Sequence, residues 1–391
     1  MNYIERAVEL TEELVKYRRH QHMYPELGMD MEGAAEYVSN ALSAMGCTPQ
    51  RVGRCGVVTT IGKPCGKVFL LRADMDALPI QEESGLDFAS TVPGRAHCCG
   101  HDLHTAMLLG AVRLLKERED ELQGMVKVMF QPGEETMEGA RDMLEAGVLE
   151  NPHVDAAMEI HVNSTVKSGQ LIVFRGAVCA SSDLFTINVQ GKGGHGSRPE
   201  LTVDPINAAC HIHTALQSLQ AREVMAGEVG VLTIGSIHGG ETNNVIPEQV
   251  EMRGTIRTYN KDVREYLVRR LAEISGTTAA VFRAKATVEM SDSYTIPLVA
   301  NEEVAALAAK SLVEIFPQRQ VVPLSRRFPG SEDFAFITDK VPSVFVALGA
   351  AVCDKPEFGQ HHPKVRFNEQ CLPVGAAAYA QIATKWLAEN Q

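Results

Sequence analysis

Residues 104–131, HTAMLLGAVRLLKEREDELQGMVKVMFQ, begin as an apolar-periodic helix, pass through a charged run and end as a strand. The segment before them, KVFLLRADMD (67–76), is an apolar run bounded by glycine and proline, which is typical of a strand. GVVTTIG (56–62) and DAAMEIHV (155–162) have the same character. Strands that alternate with helices indicate an α/β domain with a mostly parallel sheet and helices on both faces.

The N-terminal region adds helices to this domain. Its first residues are amphipathic, and we expect their helix to end at about Tyr17. RRHQHMYPELG (18–28) contains a proline and a glycine and is predicted to be a loop. A second helix is predicted over residues 32–46, where a glycine ends it.

The order of elements changes from about Asp183. The sequence predicts a strand over residues 183–191, a helix over 204–220 and two strands over 229–240 and 249–258. A helix over 262–279 and a strand over 280–290 follow. This β-α-β-β-α-β order is that of a ferredoxin-like unit. The α/β rhythm resumes after Pro297. We therefore expect a discontinuous domain of residues 1–182 and 294–391, interrupted by a ferredoxin-like α+β domain of residues 183–293.

Composition and charge argue against two classes of partner. The chain has 391 residues, 45% hydrophobic and 22% charged, as expected for a soluble globular protein of two domains. No apolar run approaches the ~20 residues that span a bilayer, and the N-terminus does not resemble a signal peptide. A formal net charge of −12 argues against nucleic acid. We expect neither a nucleic acid nor a membrane as partner.

The cysteines indicate the compartment. There are nine of them, an odd number scattered along a long chain. This usage argues against a disulfide framework and favours the reducing cytoplasm. Most of them are expected to be small buried hydrophobic residues.

Chemistry-bearing side chains follow the predicted strands at their carboxyl ends, where open α/β sheets bind ligands. HCCGHD (97–102) precedes a helix, whose dipole favours a thiolate or carboxylate. The other side chains are Asp74, Asp76, Glu134, Glu135, His161, His361 and His362. Each alone is commonly a structural or solvated residue. Together, a cysteine, histidines and a carboxylate form a ligand set for zinc, manganese or a similar divalent ion.

The residues alone leave three interpretations open. The first is a metal-dependent hydrolase. The second is a cysteine hydrolase that uses Cys99 with His101 or His104. The third is a protein that binds a metal or another ligand without catalysis.

A series of motifs along the chain resembles one family. The motifs are, in order, RRHQHMYPELG, RADMDALP, HCCGHDLHTAMLLGA, FQPGEE, EIHV, GKGGHGSRP, NNVIPEQVEMRGTIRT, GSEDF and HHPKVRFNE. They resemble the aminoacylase/carboxypeptidase superfamily of dinuclear metal hydrolases, in the branch of N-acyl-amino-acid amidohydrolases, hippurate hydrolases and auxin-conjugate hydrolases. The resemblance extends from Arg18 to the last helix. It implies two divalent metal ions per subunit, zinc or manganese, with cobalt or nickel as alternatives.

The resemblance assigns metal ligands residue by residue. Cys99 corresponds to the cysteine that bridges the two metals in that branch. The remaining implied ligands are His101, Glu135, His161 and His361.

Two carboxylates complete the implied site. Glu134 corresponds to the general base and Asp76 to the aspartate behind the metals. Neighbouring side chains on extended backbone point to opposite sides. Glu134 and Glu135 therefore both face the site only if the chain turns after Gly133.

The sequence departs from the usual family pattern at Asp74, Cys98, Leu103 and Arg366. The first stands where other branches have a ligand histidine. Cys98 makes the ligand cysteine ambiguous, and the spacing to the following glycine and histidine favours Cys99. Likewise, the distance to the next proline favours His361 over His362.

The inserted domain is implied to be a lid and dimerisation domain. His195, in a glycine-rich turn, would reach the reacting carbonyl oxygen, often in the active site of the partner subunit, and stabilise the oxyanion. Asn244 and Arg257 would hold the substrate carboxylate, although Arg253 lies on the same strand face. We therefore expect a homodimer or higher homo-oligomer.

The expected activity follows from these assignments. The chain is predicted to be a metal-dependent amidohydrolase that splits the amide bond of N-acyl-L-amino acids, small molecules, into a carboxylic acid and a free amino acid. Metal-activated water would be the nucleophile and a glutamate its general base. The alternative is a metal-dependent dipeptidase or carboxypeptidase of the same superfamily. Cys99 in place of a bridging aspartate favours the amidohydrolase.

Overall fold

Two units make up the chain in this computed structural model, which describes residues 2–391. The first unit runs from the N-terminus to Val178 and includes Val299–Arg326 and Asp333–Gln391. The second unit consists of Cys179–Leu298 and Arg327–Glu332. The segment predicted as an insert lies within the second unit, to which the structure adds a short separate segment.

The helices and strands follow in chain order. Before the insert they are α1 (Tyr3–Glu9), α2 (Thr11–Met23), α3 (Glu32–Ala44), β1 (Gln50–Val52), β2 (Gly56–Gly62), β3 (Val68–Asp74), α4 (His101–Lys116), β4 (Met125–Gln131), α5 (Gly139–Glu145), β5 (Ala156–Lys167), β6 (Leu171–Phe174) and β7 (Gly176–Cys179). The next elements are β8 (Asp183–Gln190), β9 (Gly194–His195), α6 (Pro205–Ser218), β10 (Gly230–His238), β11 (Val245–Ile246), β12 (Gln249–Thr258), α7 (Lys261–Val281) and β13 (Lys285–Met290). The last are β14 (Leu298–Ala300), α8 (Glu302–Leu312), β15 (Val321–Leu324), α9 (Ala335–Thr338), β16 (Ser343–Ala351) and α10 (Leu372–Glu389). Within residues 2–391, no helix has both the length and the apolar character needed to cross a membrane.

The first unit is built on an eight-stranded sheet in the order β1-β2-β4-β3-β5-β16-β6-β15. β3 pairs in parallel with β4 and β5, and the pairs β5–β16 and β6–β15 are also parallel. The carboxyl ends of β3, β4 and β5 therefore meet at one edge. The predicted α/β class with a mostly parallel sheet is confirmed. β6 and β15 are too short for periodicity to reveal.

Both faces of this sheet are buried. In β3, Phe69, Leu71 and Ala73 join a hydrophobic core with residues of α3, α4, α8 and α10. The alternate residues Arg72 and Asp74 are fully buried on the other face, where α5 packs beside β4 and α9 beside β16. This second face is therefore polar at the carboxyl end of β3, where Asp74 ends the strand.

The N-terminal helical region is longer than predicted. α2 continues to Met23, although the sequence predicted a loop from Arg18 onward. Arg18 and His22 are buried, and both contact the carboxylate of Asp102 at 3.0 and 2.9 Å. A helix face buried through ion pairs has no apolar periodicity, so the pattern in the sequence missed it.

The second unit contains a four-stranded antiparallel sheet in the order β10-β12-β8-β13. α6 and α7 share its hydrophobic core. The chain order β8-α6-β10-β12-α7-β13 confirms the predicted ferredoxin-like order. β9 and β11 form a separate antiparallel pair.

Candidate metal centre

Side chains from five segments of the first unit converge at the carboxyl edge of its sheet. They are Asp74 and Asp76 at the end of β3, Cys99 and His101 at the start of α4, Glu134 and Glu135 after β4, His161 in β5, and His361 after β16. Gly100 caps α4 with φ +106°, and a Cβ there would lie 2.3 Å from Val162 Cγ2. Glycine is therefore required between the two site residues of this turn.

Two triads of ligand atoms share one sulfur. Cys99, His101 and His161 form the first triad, and Cys99, Glu135 and His361 form the second, with atoms within 4.8 Å of one another in each. Cys99 Sγ lies 3.6 Å from His161 Nε2 and 3.4 Å from His361 Nε2. The structure thus brings the five residues predicted as ligands into one cluster, with a thiol between its two halves.

The imidazoles are oriented by hydrogen bonds on their far side. His101 Nδ1 donates to the backbone oxygen of Asp76 at 2.8 Å, and His161 Nδ1 donates to that of Val162 at 2.7 Å. In a neutral ring these bonds leave the lone pair on Nε2, the atom that would bind a cation. Both Nε2 atoms lie within 4.8 Å of the sulfur of the shared cysteine.

The cluster fits a divalent cation. His101 Nε2 is buried and has no hydrogen-bond partner among residues 2–391. Leaving a buried polar atom unsatisfied costs roughly 1–3 kcal/mol, so this nitrogen needs a partner, and a bound cation would supply one. Thiolate, imidazole and carboxylate are the donors that zinc and similar ions take in proteins.

Charge within the cluster favours the ligand form of the thiol. Burial opposes ionisation of Cys99, but the nearby imidazoles of His101 and His161 outweigh it and lower its pKa to about 6. Hydrogen bonds to Cys99 and Glu135 raise the pKa of His361 to about 10. At neutral pH, the free site therefore holds a proton on an imidazole that a cation can replace.

The two adjacent glutamates both face the cluster. The chain turns at Gly133, with φ +64°, where a Cβ would lie 2.4 Å from Met29 Sδ. The carboxylate of Asp76 accepts the backbone N–H groups of Glu134 and Glu135 at 3.1 and 3.0 Å. The carboxylates of these glutamates lie 3.9 and 4.0 Å from His101 Nε2. The chain therefore turns after Gly133, as it must if both glutamates are to face the site.

Position distinguishes the two alternative histidines and the two alternative cysteines. His361 faces Cys99 and Glu135, whereas the ring of His362 stacks on Phe358 with centroids 4.3 Å apart. Cys98 is buried, and burial raises its pKa to about 12. Position therefore favours His361 over His362, and the lower pKa of its thiol favours Cys99 over Cys98.

Asp74 and His104 belong to a supporting network. Asp74 accepts from Arg72 Nη1 at 2.8 Å and from His104 Nδ1 at 2.6 Å. His104 Nε2 in turn accepts the backbone N–H of Val162 at 2.8 Å. Burial lowers the pKa of His104 to about 3, so its imidazole is neutral. With both nitrogens engaged, His104 is not placed to act as the base of Cys99.

The two other departures from the family pattern have structural explanations. Leu103 is fully buried in the hydrophobic core, and Arg366 Nε donates to the backbone oxygen of Ser84 at 2.7 Å. The sequence gives no signal for Gln360, whose amide contacts the backbone of this site. Only the folded positions of its partners reveal it.

His195 and Asn244 lie together in the second unit. β9 pairs with β11 so that His195 is opposite Val245, and Gly196 N–H donates to the backbone oxygen of Asn244 at 2.8 Å. Ser197 N–H donates to His195 Nδ1 at 3.2 Å, so the ring proton of the neutral imidazole is on Nε2. His195 is exposed.

Two arginines of β12 differ in their surroundings. Arg257 is half-buried, its Nη1 donates to Ser331 Oγ at 3.3 Å, and burial lowers its pKa. Arg253 is exposed and forms an ion pair with Glu251 at 2.8 Å. The charge of Arg253 is thus engaged within its own strand, whereas Arg257 contacts a neutral hydroxyl.

Comparison with known proteins gives consistent matches over nearly the whole chain. The model of peptidase family M20/M25/M40 matches residues 70–385. The chain is 36% identical to the IAA-amino acid hydrolase ILR1-like 5 of Arabidopsis thaliana, covering 96% of this chain and 87% of the relative. It is also 36% identical to the N-acetylcysteine deacetylase of Bacillus subtilis, covering 95% and 96%.

A solved structure has the same fold. The Bacillus subtilis YXEP protein, described as a dinuclear metal-binding peptidase from the M20 family, superposes with a TM-score of 0.84 at 33% identity. The match covers 98% of this chain and 99% of that one. Both units are therefore included in the likeness.

Proposed function

Since this chain belongs to peptidase family M20/M25/M40 and is an enzyme that acts on amides, we propose that it hydrolyses N-acyl-L-amino acids to a carboxylic acid and a free amino acid. Two relatives have names that point to this substrate class, an IAA-amino acid hydrolase and an N-acetylcysteine deacetylase. Their identity of 36% supports a related amide substrate.

The observation that carries this proposal is the cysteine shared by two ligand triads. Cys99, His101 and His161 would hold one divalent ion, and Cys99, Glu135 and His361 a second. We propose zinc or manganese for both. When bound, such ions lower the pKa of water and polarise a carbonyl oxygen.

Glu134 is the proposed general base. Its carboxylate lies in the cluster without belonging to either triad built on the cysteine. It takes a proton from the attacking water and returns it to the departing amine nitrogen. Asp76 contributes by position, because its carboxylate fixes the glutamate turn and its backbone oxygen orients His101.

The second unit is proposed to supply substrate contacts. The exposed Nε2–H of His195 suits an oxyanion, and Asn244 and the guanidinium of Arg257 suit the carboxylate of the amino-acid product. We propose that His195 acts in the partner subunit of a homodimer. We also place the enzyme in the cytoplasm, since all nine of its cysteines are free thiols.

The test is metal removal combined with a substrate panel. Protein stripped by a chelator should lose hydrolysis of N-acyl-L-amino acids and regain it with zinc, manganese, cobalt or nickel. Full activity of the stripped protein would instead support a cysteine hydrolase. A reloaded protein that cleaves no member of a broad panel would support a binding protein.

Peptide hydrolysis is the second candidate. The family and the Bacillus subtilis structure both have peptidase names. An N-acetyl amino acid and a dipeptide with the same C-terminal residue differ only in the acyl side. If the dipeptide has the higher kcat/KM across several residues, the chain is a dipeptidase or carboxypeptidase.

A further inference from the structure

Gln360 joins two of the segments that contribute metal ligands. Its Nε2 donates to the backbone oxygen of Cys99 at 3.0 Å and to that of Val162 at 3.1 Å. Cys99 is the shared ligand, and Val162 follows the ligand His161. One nitrogen therefore fixes the separation between the loop before α4 and the strand β5.

The same residue adjoins a third ligand. His361 follows it directly, with φ +65°, and its backbone N–H donates to the oxygen of Cys98 at 2.9 Å. A left-handed conformation is unfavourable for a residue other than glycine. Contacts on both sides of this peptide must therefore hold His361 in place.

The acceptors that Gln360 uses also orient the ligands. The Val162 oxygen that it contacts is the one that accepts from His161 Nδ1. The amide also lies 3.9 Å from Cys99 Sγ, on the donor side. Both partners are carbonyl oxygens, which only accept hydrogen bonds, so the nitrogen end of the amide must face them. A carboxylate of the same length would face them with oxygen instead.

We propose that Gln360 is a positioning residue of the metal centre, which sets the geometry of Cys99, His161 and His361 together. This inference rests on the proposed function, because it needs cations at the cluster. Supporting hydrogen bonds of metal ligands are typically worth about 10- to 100-fold in metal affinity. The loss should therefore appear in metal binding rather than in folding.

The test compares Gln360→Met, which keeps the length and removes the donor, with Gln360→Glu, which reverses the polarity. Gln370→Met is the control, since Gln370 is exposed and follows the same loop. Each stripped protein is titrated with Co²⁺ alone in competition with a chelator. The thiolate-to-cobalt charge-transfer band and the thermal midpoint of the metal-free protein are also recorded.

We expect the dissociation constant for cobalt to rise about 10-fold or more in Gln360→Met and further in Gln360→Glu, with a shifted charge-transfer band in both. The control should match the unaltered chain. An unchanged band and dissociation constant in both variants, with a lowered thermal midpoint, would overturn the proposal in favour of a purely structural role. Absence of cobalt binding by the unaltered chain would overturn the metal centre itself, and this inference with it.

Discussion

The candidate metal cluster of the first unit and the turn around His195 in the second unit are held in place in different ways. In the cluster, His101 and His161 each donate to a backbone oxygen on their far side, and the accepting residues, Asp76 and Val162, are buried. In the second unit, the exposed side chains of His195 and Asn244 form hydrogen bonds with neighbours two residues away, Ser197 and Thr242.

This difference separates two kinds of functional residue. Ligands of a cation must be fixed before the cation arrives, because its affinity depends on their geometry. Groups that contact a substrate can stand on an exposed turn, provided that they meet the substrate when it binds. We therefore expect substitutions in the first region to change metal binding or kcat. Substitutions in the second region should change kcat or KM and leave metal binding unaltered.

The largest effect should come from Glu134→Gln. Loss of a general base typically costs about 10²- to 10⁴-fold in kcat. Because Glu134 lies outside both triads that share Cys99, the metal content should stay unchanged, as measured by elemental analysis of the purified variant. Glu138→Gln is the control, since Glu138 is exposed a turn later. If the Glu134→Gln protein has lost its metal, Glu134 is a metal ligand, and its assignment as a general base alone is wrong.

The pH dependence of stability should show how much the buried charge of His22 stabilises the first unit. Burial opposes protonation of His22, but Asp102 and Glu82 outweigh it, so its pKa rises from 6.5 to about 9. The stabilisation is therefore complete below pH 6.5 and is lost as the pH rises through 9. The raised pKa corresponds to a contribution on the order of 3 kcal/mol to the free energy of unfolding.

Urea unfolding at several pH values measures this contribution. Other groups titrate in the same range, so the relevant quantity is the difference between the unaltered chain and His22→Gln. That difference should shrink as the pH is raised from 6 to above 9. A difference independent of pH would mean that His22 is held by packing and not by its charge.

The sequence predicted the fold where burial follows chain periodicity. β3, β4 and β5 are apolar runs, and the ferredoxin-like order was visible in the alternation of elements. The candidate ligands were found because they follow these strands and match a family motif. In both cases the information is local in sequence.

Contacts between distant segments could not be predicted. The buried face of α2 is made by Arg18 and His22 with Asp102, which no local pattern connects. Gln360 is a polar loop residue until Cys99 and Val162 are seen beside it. The polar support of a site is thus harder to infer than its ligands, since it depends on partners that the fold alone brings together.

His195→Ala tests the proposed oxyanion contact of the second unit. Removing one oxyanion donor costs about 10²- to 10³-fold in kcat, and we expect no change in metal content. His238→Ala is a matched control, because it is exposed in the same unit. Co-expression with Glu134→Gln subunits should restore activity if His195 acts in the partner, since one site of each mixed dimer is then intact. Mixed dimers without activity would place His195 in its own subunit.

The smallest effect should come from Arg257→Lys, which keeps the charge and removes the planar pair of donors. Loss of a bidentate contact to the substrate carboxylate should raise KM about 10-fold and leave kcat nearly unchanged. The amide of the same substrate lacks that carboxylate and should show no difference between the variant and the unaltered chain. Arg253→Lys is the control, because Arg253 is already paired with Glu251. If KM rises in the Arg253 variant instead, Arg253 makes the contact to the substrate carboxylate. The half-buried position of Arg257 beside a neutral hydroxyl would then have no role in substrate binding.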